Sequence, residues 1–215
     1  MHILNFEAFL VAIALLTITP GIDTVLVIKN TSRCGGKDGV VTSLGICLGL
    51  FVHGTFSAVG ISAILLQSAE LFLAMKWVGA VYLIWLGISG VKAAMKGHTG
   101  IAIDDADVRS LSVRRSLQEG FLSNVLNPKT AIFYLAFLPQ FIDPQYSPFL
   151  QAMTMTGIHF VMAMIWQSGL AAAVSSAKRF FANPLALRGM EGITGSVLIF
   201  LGAKLILDEQ NISRS

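Results

Sequence analysis

The sequence has little charge, because Asp, Glu, Lys and Arg make up only 13% of its 215 residues. Soluble domains are typically about 25% charged, so the composition excludes an ordinary water-soluble fold. Cysteine is also scarce: the chain has only Cys34 and Cys47, and their spacing is not that of a metal-binding or redox pair. We therefore expect neither a metal centre nor a cofactor.

Hydrophobic residues supply 54% of the chain, and its mean hydropathy is +0.73. They are concentrated in stretches of low charge, each close to or above the roughly 17–25 residues that cross a hydrocarbon core of about 30 Å as a helix. The stretches are residues 8–28, 39–69, 71–91, 120–138, 146–177 and 192–207. We therefore predict an all-α polytopic membrane protein with six transmembrane helices, forming one domain over residues 1–215.

The basic residues predict the orientation of these helices. Three, five and three Lys or Arg residues lie in the loops after the first, third and fifth stretches, whereas the opposite side carries few. Short loops rich in Lys and Arg usually stay in the cytoplasm, so both termini should lie outside. These charges are spread over three loops, so the net charge of +3 does not indicate a nucleic-acid-binding patch.

A polar segment at residues 96–116 divides the chain into halves of three stretches each, at residues 1–95 and 117–215. Because three is odd, two homologous halves would insert with opposite orientations, as inverted repeats. The first stretch of each half contains a proline, Pro20 in one and Pro128 in the other. We therefore predict two inverted three-helix repeats, in which helices 1 and 4 are broken at these prolines.

Both prolines stand beside an ionisable residue, since Asp23 follows Pro20 and Lys129 follows Pro128. A charge inside a bilayer costs roughly 2.5–3.5 kcal/mol on insertion scales, so it marks a candidate functional site. Proline disrupts the helical hydrogen bonds, and the half-helix after each break presents N–H groups suited to a carboxylate. Gly21 would let a ligand approach the backbone closely.

A zwitterionic amino acid matches this chemistry, with its carboxylate at the half-helix N-termini or Lys129 and its ammonium at Asp23. Asp23 and His53 are candidates for carrying a coupling proton. An alternative stays open, in which Asp23 and Lys129 form a buried structural ion pair and the prolines are only kinks. The candidate substrate-binding residues, which include Asn127 as a helix cap or a ligand, are Pro20, Gly21, Asp23, Asn127, Pro128 and Lys129.

Other polar and small residues predict packing contacts. Glu119 follows Arg115 by four residues, a spacing that favours an ion pair on one helix. In the fifth stretch, Gln167 and Ser168 could line the cavity or join neighbouring helices. His159, like His53, could relay protons or be a neutral imidazole bonded to a neighbouring helix. The second stretch has glycines spaced for close helix packing, at positions Gly45, Gly49, Gly54 and Gly60.

Five motifs occur in an order that is informative as a set. They are TPGIDT at residues 19–24, GICLG at 45–49, GAVYLIWLG at 79–87, GFLSNVLNPK at 120–129 and FLPQF at 137–141. Their order and spacing resemble the LysE/RhtB family of amino-acid exporters, and the stretch that ends in Lys129 is the most specific. One departure is Ile22, where the family usually has a second proline.

The resemblance implies a secondary transporter of the bacterial inner membrane, and we expect no enzymatic activity. In that membrane, the outside position that the basic loops predict for both termini is periplasmic. The resemblance also implies export of an amino acid or derivative such as homoserine, homoserine lactone, threonine, leucine or lysine, driven by the proton-motive force, and a homodimer. Two alternatives stay open. A metal-ion exporter on a related scaffold would need a cluster of acids, thiols or histidines. An intramembrane thiol-redox protein would need paired cysteines near the breaks.

Overall fold

The structure, a computed structural model, describes residues 3–96, 112–174 and 183–212. These residues form α-helices and one short 3-10 helix, with no strand among them, which confirms the predicted all-α class. The helices are α1 (Phe6–Ile18), α2 (Ile22–Cys34), α3 (Gly36–Gln67), α4 (Ala69–Lys96), α5 (Val113–Val125), α6 (Pro128–Phe137), α7 (Pro148–Ala172) and α8 (Pro184–Ile212), and the 3-10 helix is Leu138–Phe141.

Three helical segments in the described part of the chain are long and apolar enough to cross a membrane: Gly36–Ala63, Pro148–Ala172 and Pro184–Lys204. The pair α1 and α2 forms a fourth if it is one span, bent by 49° at its break. These helices indicate a polytopic membrane protein, while the count of six stays a prediction. Most of the predicted loop, residues 97–111, lies outside the described residues, as do Lys178 and Arg179.

The break between α1 and α2 surrounds Pro20. Thr19 has extended backbone (ψ 122°), the conformation that a following proline favours. Pro20 has no N–H to continue the helix, Gly21 is also extended, and α2 begins at Ile22. The carbonyls at the end of α1 therefore lose the partners that a continuous helix would supply.

The break between α5 and α6 has a different local cause. Helix α5 ends at Val125, and α6 begins at Pro128, whose fixed φ suits the first helical position. Asn127 precedes it as the N-cap, and its Oδ1 accepts a hydrogen bond from the Lys129 N–H at 3.0 Å. The capping role predicted for Asn127 is therefore observed.

Glycines set the close helix crossings. A methyl group built at Gly45 of α3 would collide with the backbone of α5, and one built at Gly120 of α5 would collide with the backbone of α3. Gly87 of α4 and Gly195 of α8 exclude a side chain in the same reciprocal way. The packing at Gly45 agrees with its predicted role in close helix contact. Gly49 and Gly54 also have close neighbours, whereas Gly60 has no atom within 4 Å of a built Cβ.

Apolar side chains occupy both the interior and the outer surface. The core contains an aromatic group in which Phe137 lies between Phe133 and Phe141, at ring-centroid distances of 4.4 and 4.5 Å. On the outside, large apolar residues such as Leu126 and Ile165 are exposed. A surface of this kind suits contact with lipid rather than water.

Candidate functional site

The carboxylate of Asp23, in the first turn of α2, is held by three side chains from the α5–α6 break. Its Oδ1 accepts from the hydroxyl of Ser123 at 2.7 Å. Its Oδ2 accepts from the amides of Asn124 at 2.9 Å and Asn127 at 3.1 Å. The acid beside the first break is therefore bound to polar groups of the second.

Lys129 makes the reciprocal contact. Its Nζ donates to the carbonyl oxygen of Thr19 at 3.3 Å, at the end of α1. A methyl group built at Gly21 would lie 3.8 Å from the same Nζ, so the ammonium lies against the backbone of the first break. Among the described contacts, no hydrogen bond or ion pair joins Lys129 directly to Asp23, and each charge is held by the other's break.

A cavity of about 50 Å³ lies between the two breaks. Of the predicted site residues, Gly21, Asp23, Asn127 and Lys129 line it. Pro20 and Pro128 are not among the lining residues; they act on the cavity by ending or starting the helices that carry the others. A space of this size is large enough for a few water molecules.

The rest of the cavity wall combines threonines, aliphatic residues and one face of α7. His159, Ala163 and Gln167 lie at successive four-residue intervals on α7 and all line the cavity. The Nδ1 of His159 is 3.0 Å from the hydroxyl of Tyr134, so one ring nitrogen is engaged within the protein. The cavity contact that is one of the two predictions for Gln167 is therefore observed, and His159 has the predicted bond to a neighbouring helix, through Tyr134 of α6.

His53 lies behind this site rather than in it. It is buried, and its Nε2 lies 2.9 Å from the backbone carbonyl of Asn124. Since a carbonyl oxygen only accepts, Nε2 carries the proton and donates. His53 does not line the cavity, and it is linked to Asp23 through Asn124, whose side chain binds that acid.

Two of the three ligands of Asp23, Ser123 and Asn124, are not among the site residues that the sequence predicts. A signal for them was available, because both lie in the motif at residues 120–129. Asn124 precedes Asn127 by three residues, which favours a shared face of a helix. The signal was weak, since α5 ends at Val125 and that spacing crosses the break.

A separate polar cluster joins α2, α3 and α5 at the end predicted to face the cytoplasm. Arg33 pairs with Asp38 at 3.1 Å and with Glu119 at 3.4 Å. Glu119 also pairs with Arg115 at 2.6 Å, as predicted, and accepts from Asn30. Burial would raise the pKa of Glu119, but the hydrogen bonds from Arg115 and Asn30 and the charge of Arg33 outweigh it, so the pKa lies below its ordinary 4.5.

Residues 14–209 match the LysE type translocator family. The chain belongs to this family. The resemblance to LysE-type exporters predicted from the motifs is thereby confirmed, and a translocator is a transport protein rather than a class of enzyme. No solved structure matches the chain significantly.

Curated relatives of this LysE-family chain extend over most of its length. An uncharacterized membrane protein of Bacillus subtilis, YrhP, is 32% identical, covering 95% of this chain and 98% of its own. The homoserine/homoserine lactone efflux protein of Salmonella typhimurium is 29% identical, covering 92% and 94%. The leucine efflux protein of Klebsiella pneumoniae is 29% identical, covering 74% and 75%.

Proposed function

We propose that this protein is a secondary transporter of the bacterial inner membrane that exports a small amino acid or derivative. Homoserine, homoserine lactone and threonine are the candidate substrates. The observation that carries the proposal is the position of Asp23 and Lys129, which line one cavity between two helix breaks. Family membership and relatives named as efflux proteins for homoserine and leucine support export.

Counting donors and acceptors shows how a zwitterion would fit. An ammonium such as that of Lys129 has three N–H donors, and one of them reaches Thr19. The other two are available to a substrate carboxylate. The Asp23 carboxylate has about four acceptor positions, three of which are filled. The remaining position would accept from the substrate ammonium, so both ends of an amino acid would be bound.

Alternating access would use the reciprocal contact between the breaks. We propose that the helices form two inverted repeats of three spans, one over residues 1–95 and the other over 117–215. In such transporters the repeats rock around a central site between discontinuous helices. The charges of Asp23 and Lys129 would then hold the repeats together until substrate or a proton competes for them. Periplasmic termini and a homodimer belong to the same proposal.

Coupling to the proton-motive force would act at Asp23. Protonation removes its charge, and with it the charge-assisted acceptor for Asn124 and Asn127. His53, on the far side of Asn124, would hold the backbone of that residue in place during the change. We therefore propose Asp23 as the proton carrier and His53 as a positioning residue.

The test is release of amino acids from cells fed dipeptides that are hydrolysed inside. Cells with the protein should release one or a few amino acids faster than empty-vector cells. Asp23→Asn and Lys129→Met should abolish this difference at unchanged protein abundance. Release that both variants retain would reduce the two residues to structural roles, and no release above the empty vector would overturn export of the amino acids supplied.

The two alternative functions, a metal-ion exporter and a thiol-redox protein, would require different sets of residues. A metal-ion exporter needs clustered ligands, and the residues the structure describes contain no group of three or more His, Cys, Asp or Glu placed to hold a metal. A thiol-redox protein needs reactive, paired cysteines, whereas Cys47 is buried and the two cysteines do not form a disulfide with each other. An exporter should tolerate Cys34→Ser combined with Cys47→Ser, whereas a redox protein would lose its activity.

A further inference from the structure

Helix α7 contains two buried glutamines with opposite environments. The amide of Gln151 is used within the protein, since its Oε1 accepts from the N–H of Asp143 and its Nε2 donates to the carbonyl of the same residue, both at 2.9 Å. Gln167 lies four turns further along α7 and is 8% exposed. Its buried Oε1 has no hydrogen-bond partner in the protein. Buried acceptors are nearly always paired, so this oxygen calls for a donor from elsewhere.

The location of Gln167 indicates where that donor would come from. Gln167 lines the same cavity as Asp23 and Lys129. The neighbour one turn away on this face is Ala163, which also lines the cavity and has only a methyl side chain. An occupant with its charged groups at Asp23 and Lys129 could therefore extend its side chain toward α7.

Several other polar groups of the cavity wall are satisfied by the protein itself. The hydroxyls of Thr17 and Thr19 donate to carbonyls of their own helix, α1. His159 is engaged through Nδ1 with Tyr134. The Oδ1 of Asn124 also has no partner, but the nitrogen of the same amide is bound to Asp23. Gln167 differs from Thr17, Thr19 and His159 in having a strong acceptor that the protein leaves unused.

We propose that Gln167 is a specificity-determining residue whose side-chain carbonyl accepts a hydrogen bond from the side chain of the exported amino acid. This inference rests on the proposed export function and names a substrate class for the same site. A hydroxyl is the smallest uncharged donor that fits beside Ala163. Amino acids with a hydroxylated side chain should be exported in preference to aliphatic ones of similar size, because an aliphatic side chain would leave Oε1 buried and unpaired.

The test compares homoserine with 2-aminobutyrate, which differ by a single hydroxyl group. The full-length protein would be reconstituted into phosphatidylethanolamine–phosphatidylglycerol vesicles, and efflux of each labelled compound would be measured under an imposed proton gradient. We expect homoserine to leave about tenfold faster, and Gln167→Leu to bring the ratio close to one. The ratio within one variant does not depend on how much protein inserts, so partial loss of folding does not obscure the result.

Two further variants sharpen the comparison. Gln167→Asn keeps an amide on a shorter side chain and should retain part of the preference. Gln118→Leu makes the same exchange at an exposed position of α5 and should keep the wild-type ratio. If wild-type protein exports both compounds equally, or Gln167→Leu keeps the preference, the inference is wrong and export itself still stands. If neither compound is exported, the proposed function fails for this substrate class, and the subsite fails with it.

Discussion

The side-chain amide of Asn127 donates to the Asp23 carboxylate at 3.1 Å, although the residues are 104 positions apart in the sequence. The same side chain caps α6, because its Oδ1 accepts from the N–H of Lys129. One amide thus fixes the start of α6 with its oxygen and binds the acid of the other break with its nitrogen. A movement of either break would be transmitted to the other through Asn127.

Replacing Asn127 by Asp separates these two roles. The carboxylate of Asn127→Asp can still cap α6, but it cannot donate to Asp23 and places a like charge beside it. We expect amino-acid export to fall at least about tenfold, and thermal stability in detergent to fall as well, because the second carboxylate lies at a buried position. Export at the wild-type rate would show that the contact with Asp23 is dispensable.

The chain supplies a matched control for that variant. Asn183 precedes Pro184 at the start of α8, as Asn127 precedes Pro128, and its Oδ1 accepts from the N–H of Leu185 at 3.0 Å. It is exposed and does not line the cavity. Asn183→Asp should therefore leave export unchanged, and a comparable loss in this variant would mean that a general effect on helix capping causes both results.

Lys129→Met should reduce export at least about tenfold, because the change keeps an unbranched stem and removes the ammonium that contacts Thr19 and faces the cavity. The measurement is release of amino acids from dipeptide-fed cells, scaled to the amount of protein in the membrane. Lys204→Met removes a lysine that is exposed on α8 and serves as the control. Equal release by both variants would contradict a role for the Lys129 charge.

Gly120→Ala should destabilise the protein by about 1–3 kcal/mol, since the added methyl group would collide with the carbonyl of Thr42 and push α5 away from α3. Gly60→Ala is the control, because nothing lies within 4 Å of its added Cβ and alanine favours a helix. Thermal unfolding in detergent measures both. The prediction fails if the two variants have the same melting temperature.

The sequence could predict those features of the site that depend on neighbouring residues. Pro20 prevents α1 from continuing through a local effect on the backbone, and Asn127 followed by Pro128 is a strong local signal for a helix start. The ion pair between Arg115 and Glu119 follows from a spacing of four residues on one helix. None of these depends on how distant segments pack.

Contacts between distant segments could not be predicted in the same way. Hydropathy does not tell which face of α5 meets α2, so Ser123 and Asn124 were not selected as ligands of Asp23. The sequence likewise indicates Arg33 only as one of the basic residues of a loop and indicates no role for Asp38. In the structure, Asp38 is fully buried and paired with Arg33. Such residues become recognisable only when the crossing geometry of the helices is known.

The polar cluster at the predicted cytoplasmic end should make stability depend on acidic pH through Glu119. Its pKa is lowered in the folded protein, so ionised Glu119 contributes its full stabilisation above its unfolded pKa of about 4.5. That contribution is lost as the pH falls through the lower pKa of the folded state. The protein should therefore lose melting temperature below about pH 4.5 more steeply than Glu119→Gln, which cannot titrate. Glu70→Gln, at an exposed position in the first turn of α4, should follow the wild-type curve. Parallel pH profiles for the wild type and Glu119→Gln would show that the contacts of Glu119 with Arg33 and Arg115 do not favour its ionised form.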